Sequence, residues 1–246
     1  LADGDDLEYL ILSFLDRSDG PVGSGAICEW VRQNGREVSE ATVGRFLRQL
    51  GVQDLTQRSG FKGRTLTEKG QAKLVQLRHE RVLAHSSTEL VEALRAGDLT
   101  ECVDVLVARR ALEREATRLA AMLATPRDLE ALDTLVNRYE AVGNVRATAE
   151  TDFAFHVRLA EISGNRVIQA ATRLIHAQAQ SSMIPAPIQL KLKPMSAQQH
   201  REIVEAIRAH DPERAESAMV AHLNFVIEVI QRHCQEPAAR PRTQNS

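Results

Sequence analysis

Apolar residues recur at Leu7, Leu10, Ile11, Phe14 and Leu15, the i, i+3, i+4, i+7, i+8 spacing that turns one face of a helix inward. Asp19-Gly20-Pro21 ends that helix. Ser24 stands where it can cap a second helix through Trp30 and Val31, which Asn34-Gly35 stops. Ser39 caps a third helix, with Ala41, Val43, Phe46, Leu47 and Leu50 along it. Two short β-prone pieces follow, Leu55 to Arg58 and Thr65 to Thr67, and the glycines of the intervening Ser59-Gly60-Phe61-Lys62-Gly63-Arg64 permit a hairpin. Three helices and then a hairpin is the order of a winged helix. Thr67-Glu68-Lys69-Gly70 opens a further helix through Leu74 and Leu77, a linker with its boundary near Arg78 to His85.

From Ser87 the pattern is helical almost throughout. Gly97-Asp98, Thr125-Pro126, Gly143-Asn144, Gly164-Asn165, a stretch from Pro185 to Pro194, and His210-Asp211-Pro212 punctuate it. Six or seven helices in an antiparallel bundle are expected. The fold class is therefore mainly α, an N-terminal winged helix-turn-helix followed by a C-terminal all-α antiparallel helical bundle. The expected division is residues 1–80 for the winged helix and the start of the linker, 81–234 for the bundle, and 235–246 for a disordered polar tail with Pro237 and Pro241.

Composition supports helix over sheet, since aromatics make up only 4% of the 246 residues. The formal net charge of −2 announces no global field for a nucleic acid, so any such contact must come from local clustering. Cys28, Cys102 and Cys234 are isolated and odd in number, which suggests neither a disulfide framework nor a cysteine metal site and fits a reducing cytoplasm. No apolar run approaches the roughly 18 to 20 residues of a membrane span, and the first residues are acidic. A soluble, cytoplasmic protein with no membrane partner is expected.

Local charge does change the picture. From Arg58 to Arg81 seven basic side chains face two acidic ones, gathering positive charge at the wing. In a helix-turn-helix the second helix enters the major groove of double-stranded DNA, and here that is the helix from Ser39 to Leu50. Arg36, Ser39, Glu40, Thr42, Arg45, Arg48 and Gln49, with Arg58, Lys62 and Arg64 on the wing, are the candidate DNA-binding residues. The alternative is a protein-interaction module with a solvated basic hairpin.

The strongest chemistry lies further along. Asp152 and His156 are four apart, one helical turn, so both can point at one ion. His200 lies about ten residues before the His210-Asp211-Pro212 break and His222 about ten after it, so a helical hairpin brings the two imidazoles level. Ile203, Ala206, Ile207, Ala215, Ala218 and Met219 share their inward stripe. A single core histidine is ordinarily just hydrogen-bonded, but three with an aspartate suit Zn²⁺, Ni²⁺ or another divalent transition ion and leave positions for water or a carboxylate. His176 competes for the same depth and is assigned to the lining. His79, His85, His210 and His233 fall near the linker, a turn and the tail, with no chemical role.

Two resemblances follow from particular residues. Residues Tyr9 to Gln71, through Pro21-Val22-Gly23, Ser39-Glu40-Ala41-Thr42-Val43, Leu47-Arg48-Gln49-Leu50 and Gly63-Arg64-Thr65-Leu66-Thr67-Glu68-Lys69-Gly70, resemble the winged helix at the start of ribonuclease R and of archaeal nitrogen repressors. Arg109-Arg110-Ala111-Leu112-Glu113, Leu119-Ala120-Ala121, Asp152-x-x-Phe155-His156, Ser163-Gly164-Asn165, His200-x-x-Ile203-x-x-Ala206-Ile207 and Ala218-Met219-x-x-His222-Leu223 resemble the C-terminal effector (FCD) domain of the FadR group of GntR regulators. That resemblance spans about residues 86 to 234. It implies a bundle that holds a divalent metal through Asp152, His156, His200 and His222, a carboxylate effector completing the shell, and Arg109 paired with that carboxylate. The N-terminus departs from the GntR winged-helix pattern, so that group's operator type does not transfer.

The expected function is a metal-dependent, ligand-responsive transcriptional regulator, a repressor or activator rather than an enzyme. It would act as a homodimer on a palindromic operator and sense a small organic acid. Arg109, Arg173, His176 and Met183 are the candidate effector liners. The alternative is a metal-dependent hydrolase or lyase of a small carboxylate at the same site.

Overall fold

The computed structural model describes residues 3–95, 97–179 and 184–235. The chain forms two compact units, one running to Glu89 and the other from Leu90. Helix α4 (Glu68–Ala93) is continuous through the region where the boundary was expected. Both the tail from residue 236 onward and Met183 lie outside the described residues. Among the described residues no helix is long and apolar enough to cross a membrane.

The first unit packs α1 (Asp3–Arg17), α2 (Ser24–Gln33) and α3 (Glu40–Val52) around one core. Leu7, Ile11, Leu12 and Leu15 supply the α1 stripe, and Ile27, Val31, Val43, Leu47, Leu50 and Leu74 meet it. Ser39 caps α3 as expected, its Oγ accepting from the backbone N–H of Thr42 at 3.1 Å. Ser24 does not cap α2. Gly23 holds that position, and the Ser24 hydroxyl donates instead to Glu40 Oε1 at 2.8 Å, tying the start of α2 to the start of α3.

Strands β1 (Thr56–Arg58) and β2 (Arg64–Leu66) pair antiparallel to make the wing. Val22 adds a rung by exchanging two backbone hydrogen bonds of 2.9 Å with Arg64. That rung depends on Gly63, which has φ of +123° and sits where a Cβ would come within 2.2 Å of Val22 O. Gly70, in the first turn of α4, lies as tightly against Leu55 O.

The second unit is a bundle of α5 (Leu99–Leu123), α6 (Pro126–Ala141), α7 (Val145–Ile162), α8 (Arg166–Ala179), α9 (Ala186–Arg208) and α10 (Pro212–Gln235). The helix starts are written in the sequence. Asp98 accepts from the backbone of Thr100 and Glu101, Thr125 and Asp128 form a reciprocal capping box, and Asn144 caps α7. Helices α5 and α10 run antiparallel, with Arg110 bonded to Asn224 and Arg114 to Glu216.

One expected break is absent. Pro185 precedes α9, but Pro194 lies inside it. Proline forfeits one helical hydrogen bond, yet Ile188, Leu192 and Ala197 are buried on both sides of it and Lys193 Nζ donates to the carbonyls of Glu140 and Val142. Packing on both flanks carries the helix through.

Candidate metal centre

Three helices converge on one point. Helix α7 supplies Asp152 and His156 from successive turns of one face, α9 supplies His200, and α10 supplies His222. One potential ligand atom from each of these residues lies within 4.8 Å of all the others. His156 Nε2 is 3.6 Å and His200 Nε2 is 3.5 Å from the same oxygen, Asp152 Oδ1. The rings of His200 and His222 are 4.7 Å apart, and each is 5.4 Å from that of His156.

The bonding of these rings is unusual for a core. His156 and His200 are fully buried, and neither nitrogen of either ring has a hydrogen-bond partner among the described residues. A buried polar atom left unpaired costs about 1 to 3 kcal/mol. His222 differs, because its Nδ1 donates to Gln199 Oε1 at 3.0 Å, which leaves the Nε2 lone pair free. Phe155 stacks on His200 with centroids 4.3 Å apart, and Tyr139 meets it edge-on at 5.0 Å. One carboxylate and three imidazoles around a point, with orphaned ring nitrogens, fit a divalent transition ion.

Beside this group lies a cavity of about 120 Å³. Asp152 and His222 line it from the ligand side, Arg109, Tyr139, His176 and Ser196 add polar groups, and Val105, Leu106, Leu192 and Leu223 form an apolar wall. Arg109 is 8% exposed, donates from Nε to Glu113 Oε1 at 2.8 Å, and has Nη2 4.0 Å from Asp152 Oδ2. His176 Nε2 lies 2.8 Å from the same Glu113 oxygen. The other oxygen, Oε2, is 2.6 Å from His156 Nδ1 but out of line for a hydrogen bond.

Charge in the cluster follows from burial and these neighbours. Burial lowers the affinity of His200 for a proton and takes its pKa to about 3 against the pull of Asp152. His222 falls well below its ordinary value for the same reason, with His200 and His156 adding to the effect. His176 drops to about 4, through burial and then Arg109. Burial also opposes protonation of His156, but Glu113 and Asp152 outweigh it and raise that ring to about 9. Burial likewise works against ionised Asp152 and Glu113, and the cationic neighbours still hold both carboxyls well below their usual range. Three nitrogen donors thus stand ready as neutral ligands or lose one proton to become so.

Of the expected effector liners, the structure brings Arg109 and His176 to the cavity. Arg173 is not among them, because its guanidinium pairs with Glu161 at 2.6 Å on the half-exposed surface of α8. Glu113 and Gln199 were missed. Glu113 appeared only as an unremarked member of the Arg109 segment, and its one local signal is the i, i+4 spacing from Arg109.

In the first unit Arg45, Arg48 and Gln49 are exposed along one face of α3, and Lys62 is exposed at the wing tip. Arg58 is exposed and donates to Gly60 O, while Arg36 is half-buried. Ser39, Thr42 and Glu40 are engaged in holding the start of α3. Arg64 is drawn inward: its guanidinium bonds Thr56 and covers Gly51, where a Cβ would lie 2.5 Å from Nη1.

Residues 104–225 match the FCD domain and residues 9–74 match the ribonuclease R winged-helix domain. The chain is 29% identical over 205 residues to the "Putative L-lactate dehydrogenase operon regulatory protein" of Escherichia coli (strain K12), covering 79% of this chain and 78% of that one. It is 34% identical over 132 residues to the HTH-type transcriptional repressor NanR of Cronobacter sakazakii, covering 52% and 50%. Among solved structures, Lar of Listeria monocytogenes superposes with a TM-score of 0.51 at 12% identity, over 94% of this chain and 98% of that one, which is a likeness of fold.

Proposed function

From a chain that joins an FCD domain to a winged helix and is homologous to the GntR family of transcriptional regulators, we propose a metal-dependent DNA-binding regulator that answers a small carboxylic acid. The coarse part, a DNA-binding regulator of transcription and not an enzyme, follows from those relatives. The finer part is carried by one observation, the convergence of Asp152, His156, His200 and His222 around a point beside a cavity that Arg109 lines.

On this reading those four residues hold Zn²⁺ or Ni²⁺, which supplies a Lewis-acidic centre for an effector oxygen. Arg109 binds the effector carboxylate through its guanidinium fork, whose Nε is already fixed by Glu113. The apolar wall of Val105, Leu106, Leu192 and Leu223 excludes water and receives the remainder of a small molecule. DNA is gripped through Arg45, Arg48, Gln49 and Lys62, with a homodimer placing two winged helices on a palindromic operator. A small carboxylate named by one relative, L-lactate, is a reasonable first effector to test.

The test measures metal content, DNA affinity and the effect of L-lactate and other small carboxylates for the wild-type chain and for His200→Ala with His222→Ala. Bound metal lost in the variant, with a carboxylate response that requires Arg109, supports the reading. Unchanged metal content in the double variant would sink it.

A further inference from the structure

We propose that Glu113 is the positioning residue of this site, a single buried carboxylate that orients the metal ligand His156 and the effector-binding Arg109 together. The proposal rests on the metal reading above and adds a residue to it.

Glu113 is 2% exposed and lies one turn beyond Arg109 on α5, so the two share its inward face. Its Oε1 accepts from Arg109 Nε and from His176 Nε2, both at 2.8 Å. Its Oε2 is paired at 2.6 Å with His156 Nδ1, and among the described residues neither atom has a hydrogen-bond partner elsewhere. Both atoms are buried and face each other at ion-pair distance, so a small turn of either group completes the hydrogen bond. An ionised carboxylate only accepts, so the nitrogen facing it must carry the proton. A neutral imidazole with its proton on Nδ1 has its lone pair on Nε2, the nitrogen on the side of Asp152 and the other ligands. The carboxylate thus selects the tautomer of His156 that can bind an ion.

Glu113, His156 and His176 could also form a second ion site of their own. The Arg109 guanidinium speaks against it, since it is bonded to Glu113 and would place a fixed positive charge against a second dication. His176 Nε2 is moreover already committed to the carboxylate as a donor. Glu113 therefore orients a ligand and is not one.

Glu113→Gln keeps the shape but puts an N–H₂ group where one oxygen was. Turned toward His156, that amide donates to Nδ1, moves the ring proton to Nε2 and closes the ligand position. Zn²⁺ affinity of the full chain is measured by competition with a chromophoric chelator, alongside ¹⁵N spectra of histidine-labelled protein and melting of the metal-free form. Wild type should bind one Zn²⁺ per chain through His156 Nε2. Glu113→Gln should bind it about 10 to 100-fold more weakly, with the His156 tautomer reversed, and Glu113→Asp should recover part of the loss. If Glu113→Gln fails to fold, the wild-type spectrum still decides: Zn²⁺ on His156 Nδ1 overturns the proposal. Unaltered Zn²⁺ affinity in Glu113→Gln, with binding still abolished by His200→Ala, overturns it alone. A second Zn²⁺ lost on substitution makes Glu113 a ligand and overturns it too. No Zn²⁺ bound by wild type overturns both this proposal and the metal reading.

Discussion

Replacing His200 by leucine separates what the ring costs the fold from what it gives the site. Both His200 nitrogens are buried without hydrogen-bond partners among the described residues, and each such atom costs about 1 to 3 kcal/mol. Leucine is close to histidine in volume, so neither a large cavity nor severe overpacking results. What is lost is the stacking with Phe155 and the edge contact with Tyr139, together about 1 to 3 kcal/mol. The central values leave about 2 kcal/mol in favour of the metal-free variant, and each kcal/mol moves Tm by roughly 2 to 4 °C in a chain of this size. On the metal reading wild type should behave oppositely, because an ion bound only by the native state at about 1,000 times its Kd adds about 4 kcal/mol. Melting curves of both proteins, with chelator and with Zn²⁺, should cross. His200→Leu should melt above chelated wild type and ignore Zn²⁺, and wild type should gain on Zn²⁺ addition. A variant that melts below chelated wild type would refute the reasoning from orphaned nitrogens, and one that still gains from Zn²⁺ would remove His200 from the site.

The metal-free protein should lose stability as pH falls from about 6.5 toward 4, because His200 and His176, lowered to about 3 and 4, take up protons in the unfolded chain before the folded one. His156, raised to about 9, works the other way, stabilising below 6.5 and ceasing to do so as pH rises through 9, so thermal melts between pH 5 and 10 should show a maximum between the two limbs. Arg48→Ala should reduce the salt slope of binding to duplex DNA by about one, whereas Arg64→Ala, whose guanidinium is spent on Thr56 and Gly51, should leave it nearly unchanged in anisotropy titrations. Gly70→Ala brings a Cβ within 2.0 Å of Leu55 O and should destabilise the first unit by more than about 2 kcal/mol in denaturant titrations, with weaker DNA binding.

What could be read from the sequence was what local spacing fixes. Stripes at helical period located α1 and α3, and the breaks at Gly97-Asp98, Thr125-Pro126 and Gly143-Asn144 fall where Asp98, Thr125 and Asn144 cap the helices that follow. Asp152 with His156 is a one-turn relation, and His200 with His222 follows from a hairpin symmetric about one break, so both pairs were legible before any packing was known. Pro194 was misread because its local rule is a helix breaker, and only Ile188, Leu192 and Ala197, buried on either side, overrule it. Arg64 looked like one more basic residue of the wing until the close approach at Gly51 gave it a structural occupation. Spacing pairs Glu113 with Arg109 and goes no further, since its contacts with His156 and His176 come from α7 and α8 laid against α5, which no local pattern encodes.

The placement of the site explains why ion and effector should act as one unit. The four proposed ligands are held by α7, α9 and α10, whose Phe155, Ile203, Ile207, Met219 and Leu223 form the centre of the second unit's core, so the ligands cannot move apart without disturbing that packing. Unpaired nitrogens in such a core lower stability until something fills their lone pairs. On the proposed reading an ion does so, and a carboxylate then binds a surface that exists only when the ion is present. Linkage makes the dependence mutual: a carboxylate that binds the loaded form more tightly must tighten the ion by the same factor. Substitutions that loosen the histidines should therefore weaken carboxylate binding in proportion to metal binding, even at positions such as His200 that do not line the cavity.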